Sequence, residues 1–91
     1  MRRKTVSVVN PLGFHARAAA RFVAEASKFS AQITVVFKDK EMDGKSILGL
    51  LLLAAPCGAS LQIRAEGRDE AEAIRALAAL IAAGFGEAPK N

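Results

Sequence analysis

Several side chains that would define common classes of small protein are scarce or missing. The 91-residue chain has one cysteine, one histidine, three prolines, no tryptophan and no tyrosine. A single cysteine excludes an internal disulfide, and one cysteine with one histidine cannot supply the four ligands of a structural zinc site. No metal and no cofactor are expected. Five phenylalanines are the only aromatics, too few and too scattered to form the stacking platforms of a single-strand nucleic-acid reader. The longest uncharged apolar stretch, Ile47 to Ala59, is interrupted by Pro56 and Gly58 and falls short of the ~20 residues needed to span a bilayer. Arg2, Arg3 and Lys4 resemble the basic start of a signal peptide, but no continuous apolar run follows, so a cytoplasmic location and no membrane insertion are expected.

What is present is the composition of one folded domain spanning residues 1–91. Hydrophobic residues make up 52% and charged residues 24%, with no low-complexity tract. The net charge of +4 suits an acidic partner, but the basic residues are dispersed and do not outline a nucleic-acid stripe.

Residues 2–9 alternate as a strand that Asn10-Pro11-Leu12-Gly13 stops. Ala18, Phe22, Ala26 and Phe29 recur at helical spacing, which predicts a helix starting just after His15 and reaching Phe29. Ile33, Val35 and Phe37 alternate with polar neighbours, and Lys38-Asp39-Lys40 turns the chain into a short return strand ending at Met42. Ser46 has the chemistry to cap a short, apolar second helix that runs from Ile47 until Pro56 and Gly58 end it. Leu61, Ile63 and Ala65 form the inward face of a fourth strand. Asp69 with Glu72 reads as a capping box, opening a third helix on the stripe Ile74, Leu77, Ala78 and Ile81 that Gly84 stops. The order β-α-β-β-α-β-α, with strands apolar on one face, predicts an α/β (α+β) two-layer sandwich: one sheet covered by helices on one side, with Ser7, Gln62, Arg64 and Glu66 facing water.

One junction carries chemistry. His15 stands where a Pro- and Gly-containing loop meets a helix start, with Arg17 two residues on. The first N–H groups of a helix lack intrahelical partners and the helix dipole favours negative charge there, so an anion is stabilised at that place. Neutral imidazole is a nucleophile at near-neutral pH. Arg17 offers a guanidinium to phosphoryl oxygens and Arg21, one turn on, adds positive charge. The constellation suits a phosphoryl group held on His15. A hydrolase pairing His15 with Cys57 is disfavoured because no orienting acid or amide is marked by a motif and the chain leaves little room for a cleft.

The segment Asn10-Pro11-Leu12-Gly13-Phe14-His15-Ala16-Arg17, followed by Gly44-Lys45-Ser46-Ile47-Leu48-Gly49-Leu50-Leu51, resembles the histidine-containing phosphocarrier (HPr) family of the bacterial phosphoenolpyruvate-dependent sugar phosphotransferase system. The likeness extends over essentially the whole chain in length, element order and the positions of both segments. It implies an open-faced β-sandwich with a four-stranded antiparallel sheet and three helices on one face. It further implies that His15 is phosphorylated on Nδ1 by phosphorylated enzyme I, that Arg17 contacts the phosphoryl group, and that the group passes to an EIIA protein or domain. Such a protein is a group carrier and not an enzyme. Ser46 matches the serine that the ATP-dependent HPr kinase/phosphorylase modifies in many relatives. A carrier of this kind is expected to act as a monomer through small transient interfaces, with Ile47, Leu48 and Leu51 as the apolar centre and Arg17, Arg21 and Lys45 as the basic rim. Many relatives have proline where this chain has Ala18, and alanine serves a helix start as well. The alternative within the family is a carrier of the nitrogen-related branch, which shares the same residues and serves regulation.

Overall fold

A computed structural model describes residues 1–87 as β1(Arg2–Ser7), α1(Ala16–Ala26), β2(Gln32–Phe37), β3(Lys40–Asp43), α2(Ile47–Leu53), β4(Ser60–Glu66) and α3(Glu70–Ala82), followed by a 3-10 turn at Gly84–Gly86. The strands form one antiparallel sheet in the order β1-β4-β2-β3. Alternation decides which face is buried. Val35 lies opposite Ile63 and Ile33 opposite Ala65 across the central pair, and all four side chains are buried together with Leu61. The helices close over this face with Ala18, Ala19, Phe22 and Ala26 of α1, Leu50 and Leu53 of α2, and Ile74, Leu77 and Ile81 of α3. Each large side chain buried in this layer contributes about 1.5–3 kcal/mol. The opposite face carries Ser7, Gln62, Arg64 and Glu66, and there the Arg64 Nε donates to the Gln62 Oε1 at 2.7 Å.

The ends of two elements differ from those the pattern predicts. β1 ends at Ser7 because the ladder loses register: Val8 N–H still donates to the Ala59 carbonyl, but the Ala59 N–H is committed to Pro56, so the Val8 carbonyl takes the Gly58 N–H instead. α1 ends at Ala26, since the following amides of Lys28 and Phe29 bond three residues back in a tightened turn. Phe29 keeps its apolar role as a half-buried side chain packed on the core.

The predicted capping box is absent. Asp69 occupies the N-cap position of α3 but makes no side-chain cap bond. Its carboxylate accepts the Ser30 and Ala31 backbone N–H groups, each at 2.9 Å, and so fastens the loop before β2 to the start of α3. These bonds, led by that from Ser30, hold its carboxyl below the ordinary aspartate range. Glu70, not Glu72, reaches back, accepting the Gly67 N–H at 3.0 Å. A periodicity argument finds the helix start but cannot tell which nearby unpaired amides will claim the acid.

Gly84 stops α3 with φ +65°, as its position predicts. The 3-10 turn beyond it has no counterpart in the sequence pattern, and it proves decisive for the surroundings of His15.

Candidate functional site

The loop before α1 is built to present His15. Gly13 has φ +68°, and a Cβ there would stand 2.6 Å from the Ala55 carbonyl oxygen and 2.9 Å from the Pro56 Cα, so only glycine fits. The Gly13 N–H donates to the Asn10 carbonyl and the Phe14 N–H to the Ala55 carbonyl, which pins the loop to the end of α2. Asn10, only 3% exposed, donates from Nδ2 to the Gly13 carbonyl at 2.7 Å and closes the turn from inside.

His15 is then the N-cap of α1, with extended backbone. Its carbonyl accepts the Ala19 N–H as the first helical bond, so the earlier amides have no partner in the helix. One of them, the Arg17 N–H, donates to His15 Nδ1 at 3.3 Å. The imidazole thus performs the capping that Ser or Asp usually performs, and Nδ1 faces the positive end of the helix dipole. The ring remains partly exposed, with about a quarter of its side-chain surface in water. Arg17 is exposed beside it.

The other ring nitrogen has a partner from the far end of the described chain. Glu87 Oε2 lies 2.5 Å from His15 Nε2, and Glu87 Oε1 accepts the Asn10 Nδ2–H at 3.2 Å. The hydrogen bond from His15 is the largest influence holding the Glu87 carboxyl below the ordinary glutamate range. The bond from Asn10 and the charges of His15 and Arg17 act the same way, against partial burial that raises it.

Glu87 is brought there by a left-handed run. Gly84, Phe85 and Gly86 have φ +65°, +59° and +75°, an arrangement unfavourable for Phe85 by about 1–2 kcal/mol. Burial of the Phe85 ring compensates: it is fully enclosed, 5.2 Å from the Phe14 ring, which in turn meets Phe22 edge-on at 5.6 Å. The residue before His15 and the residue two before Glu87 are therefore packed against each other.

The second expected feature, an apolar surface on α2, is exposed. Leu50 and Leu53 point into the core, and helical geometry then turns Ile47, Leu48, Leu51 and Leu52 outward, with Leu48 67% and Leu52 56% exposed. Ser46 caps this helix through Oγ, which accepts the Gly49 N–H at 3.1 Å. The two outer basic residues have local ties: Arg21 donates from Nη1 to the Phe85 carbonyl, and Lys45 from Nζ to the Phe29 carbonyl at 2.7 Å. Cys57 is an exposed free thiol.

Residues 2–83 match the family model described as the PTS HPr component phosphorylation site. The chain belongs to the HPr family. It is 44% identical over 87 residues to the phosphocarrier protein HPr of Neisseria meningitidis serogroup B, covering 96% of this chain and 98% of that one. The crystal structure of an HPr from Thermoanaerobacter tengcongensis superposes with a TM-score of 0.93 at 46% identity, covering 98% of this chain and 100% of that one. The phosphocarrier protein NPr of Shewanella violacea is 40% identical over 85 residues, 93% of each chain. Membership in the HPr family gives the chain the fold seen here and the general role of a phosphotransferase-system phosphocarrier. It does not by itself choose between HPr and NPr.

Two contributors to this surface lay outside the sequence reading. Leu52 sits in the run Leu50–Leu53, where unbroken apolarity hides the period, and only the inward placement of Leu50 and Leu53 reveals it. Glu87 follows Gly-Phe-Gly, and the one available signal was a large aromatic between two glycines after a helix stop, a pattern suited to a buried anchor in a sharp turn.

Proposed function

We propose that this chain is a sugar-branch phosphocarrier in which His15 accepts a phosphoryl group on Nδ1 from phosphorylated enzyme I and passes it to an EIIA protein or domain. The observation that carries the reading is the position of Nδ1: beside the Arg17 amide at the start of α1, on a partly exposed ring, in a chain of the HPr family. In the forward step the Nδ1 lone pair forms the new bond to phosphorus, and the bond from phosphorus to the donor atom breaks with its electron pair left on the donor. Transfer to the acceptor reverses the roles. The helix-start amides and the Arg17 guanidinium stabilise the phosphoryl oxygens without enclosing them, which keeps the group transferable. No turnover of its own is required of the carrier; each partner completes the reaction centre.

The rest of the assignment follows the same surface. Ile47, Leu48 and Leu51, with Leu52, form the apolar centre of docking, and Arg17, Arg21 and Lys45 the basic rim facing an acidic partner. Ser46 is a candidate for modification by an HPr kinase/phosphorylase. A phosphoserine is tolerated at a helix start and places negative charge beside the docking surface, weakening binding without unfolding. The protein acts as a cytoplasmic monomer of one domain, with no cofactor.

Intact-protein mass spectrometry after incubation with phosphoenolpyruvate and catalytic enzyme I tests this. One acid-labile phosphoryl group is expected on the native chain and none on His15→Ala. A folded native chain that gains no phosphoryl group from any enzyme I would overturn the reading. The similarity to an NPr supports a second reading, a carrier of the nitrogen-related branch. Faster charging by the nitrogen-system enzyme I than by the sugar-system one would favour it.

A further inference from the structure

Resting on the carrier reading for the reaction it serves, we propose that Glu87 is a positioning residue, oriented by Asn10, that holds His15 in its Nε2–H tautomer and thereby leaves Nδ1 as the nucleophilic nitrogen.

A neutral imidazole has one N–H and one lone pair, and only the nitrogen bearing the lone pair can attack phosphorus. Two contacts on opposite sides of the ring favour the same arrangement. At Nδ1 the Arg17 amide donates, so Nδ1 must accept. At Nε2 a carboxylate oxygen lies at 2.5 Å, and a carboxylate can only accept, so Nε2 must donate. The first contact is long, at 3.3 Å, and comes from a neutral amide. The second is short and charge-assisted, the stronger kind. Glu87 is therefore the dominant control on which nitrogen carries the proton, in the manner of carboxylates that orient histidines in other reaction centres.

The carboxylate is itself held. Asn10 is enclosed, and its amide nitrogen is shared between the Gly13 carbonyl and Glu87 Oε1, so the hydrogen bonds that shape the His15 loop also set the carboxylate plane. Phe85, locked between the glycine turns and packed at a tilt against the Phe14 ring, anchors the backbone two residues earlier. The charged groups facing the pair are Arg17, whose charge favours the ionised Glu87, and Arg21, whose guanidinium is bound to the Phe85 carbonyl.

The same contact follows the reaction through. As Nδ1 takes the phosphoryl group, its lone pair enters the N–P bond and the ring becomes cationic. The proton stays on Nε2, opposite a negative oxygen that offsets the new charge. When the group leaves, the pair returns to Nδ1 and the ring is again the Nε2–H tautomer, ready for another cycle.

Long-range 1H–15N correlation of His15 in the full chain, at a pH where the imidazole is neutral, reads the tautomer directly for the native protein, Glu87→Gln and Glu87→Ala. The native ring is expected to show widely separated 15N shifts, Nδ1 unprotonated and Nε2 protonated. In Glu87→Ala the two shifts are expected to move toward one another as the Nδ1–H form gains population. Glu87→Gln, which keeps an accepting oxygen, is expected to fall between. The rate of phosphorylation should drop in step with the loss of the Nε2–H form. Identical 15N shifts in all three proteins, with the remaining backbone amide spectrum unchanged, would overturn the proposal. A tautomer change in Glu87→Ala alongside a native chain that no enzyme I phosphorylates would uphold the role of Glu87 and remove the carrier reading instead.

Discussion

Ser46, which caps α2, and Glu87, which meets His15, each hold a polar group in place, and their chemistry separates a structural role from an electrostatic one. The Ser46 hydroxyl caps α2, so Ser46→Ala is expected to lower unfolding free energy by about 1 kcal/mol in denaturant titration. Ser46→Asp keeps an accepting oxygen at the cap and adds a negative charge favoured at a helix start. It is expected to retain native stability while slowing phosphoryl transfer with partners. Equal losses of transfer in the alanine and aspartate variants would show that the cap, and not the charge, matters. Glu87 gives a pH signature. Its carboxyl is held below the ordinary glutamate range in the folded protein, so the stability it contributes is present above the unfolded-state value and is lost as pH falls through the folded one. Comparing the acid limb of stability in the native chain and Glu87→Gln should show that the native chain loses more. A 13C titration of the Glu87 carboxyl should move up in His15→Ala, since the imidazole is the largest cause of its depression.

Elements were legible where apolar period alone decides them, and obscure where polar groups choose among neighbours. The stripes of α1 and α3 and the alternation of β2 and β4 follow from which side chains must leave water, and their burial follows suit. The junction at His15 was legible for a different reason: Asn-Pro-Leu-Gly is a turn in any context, and a helix cannot begin before it ends. The bonds of Asp69 to Ser30 and Ala31 join residues 39 and 38 positions apart, that of Glu87 to His15 residues 72 apart, and none leaves a local trace. Asp69→Ala is accordingly expected to speed hydrogen exchange at the Ser30 and Ala31 amides while the amides of α3 keep their protection; equal loosening of α3 would restore to Asp69 a capping role. Gly13→Ala forces a left-handed alanine, at about 1–2 kcal/mol, against backbone atoms of Ala55 and Pro56 that cannot yield cheaply. It is expected to lower both thermal stability and phosphorylation rate.

The whole molecule divides its surfaces by task. The helical layer places the His15 loop against the end of α2 and turns four large apolar side chains of that helix outward, while the open sheet face stays polar. Among the described residues no helix is long and apolar enough to cross a membrane. Exposed leucines contribute little to folding, so Leu48→Ser and Leu52→Ser are expected to change stability by no more than about 0.5 kcal/mol. If they form the centre of a docking surface, each should slow transfer to or from partner proteins about tenfold, the effect of removing more than 1 kcal/mol of contact. Native transfer rates in the double variant would place docking elsewhere.

The strand order has a consequence for how the chain is made. β4, the last strand to be synthesised, lies between β1 and β2 and supplies the partner for both. Until residue 66 has emerged from the ribosome, β1 has no neighbour and the β2–β3 hairpin stands alone, with one central edge bare. The nascent chain therefore waits with Ile33 and Val35 uncovered, and its sheet assembles in one late, long-range event. A stalled chain ending before Ser60 should be sensitive to protease along its whole length, and one extended past α3 should become resistant at a single step.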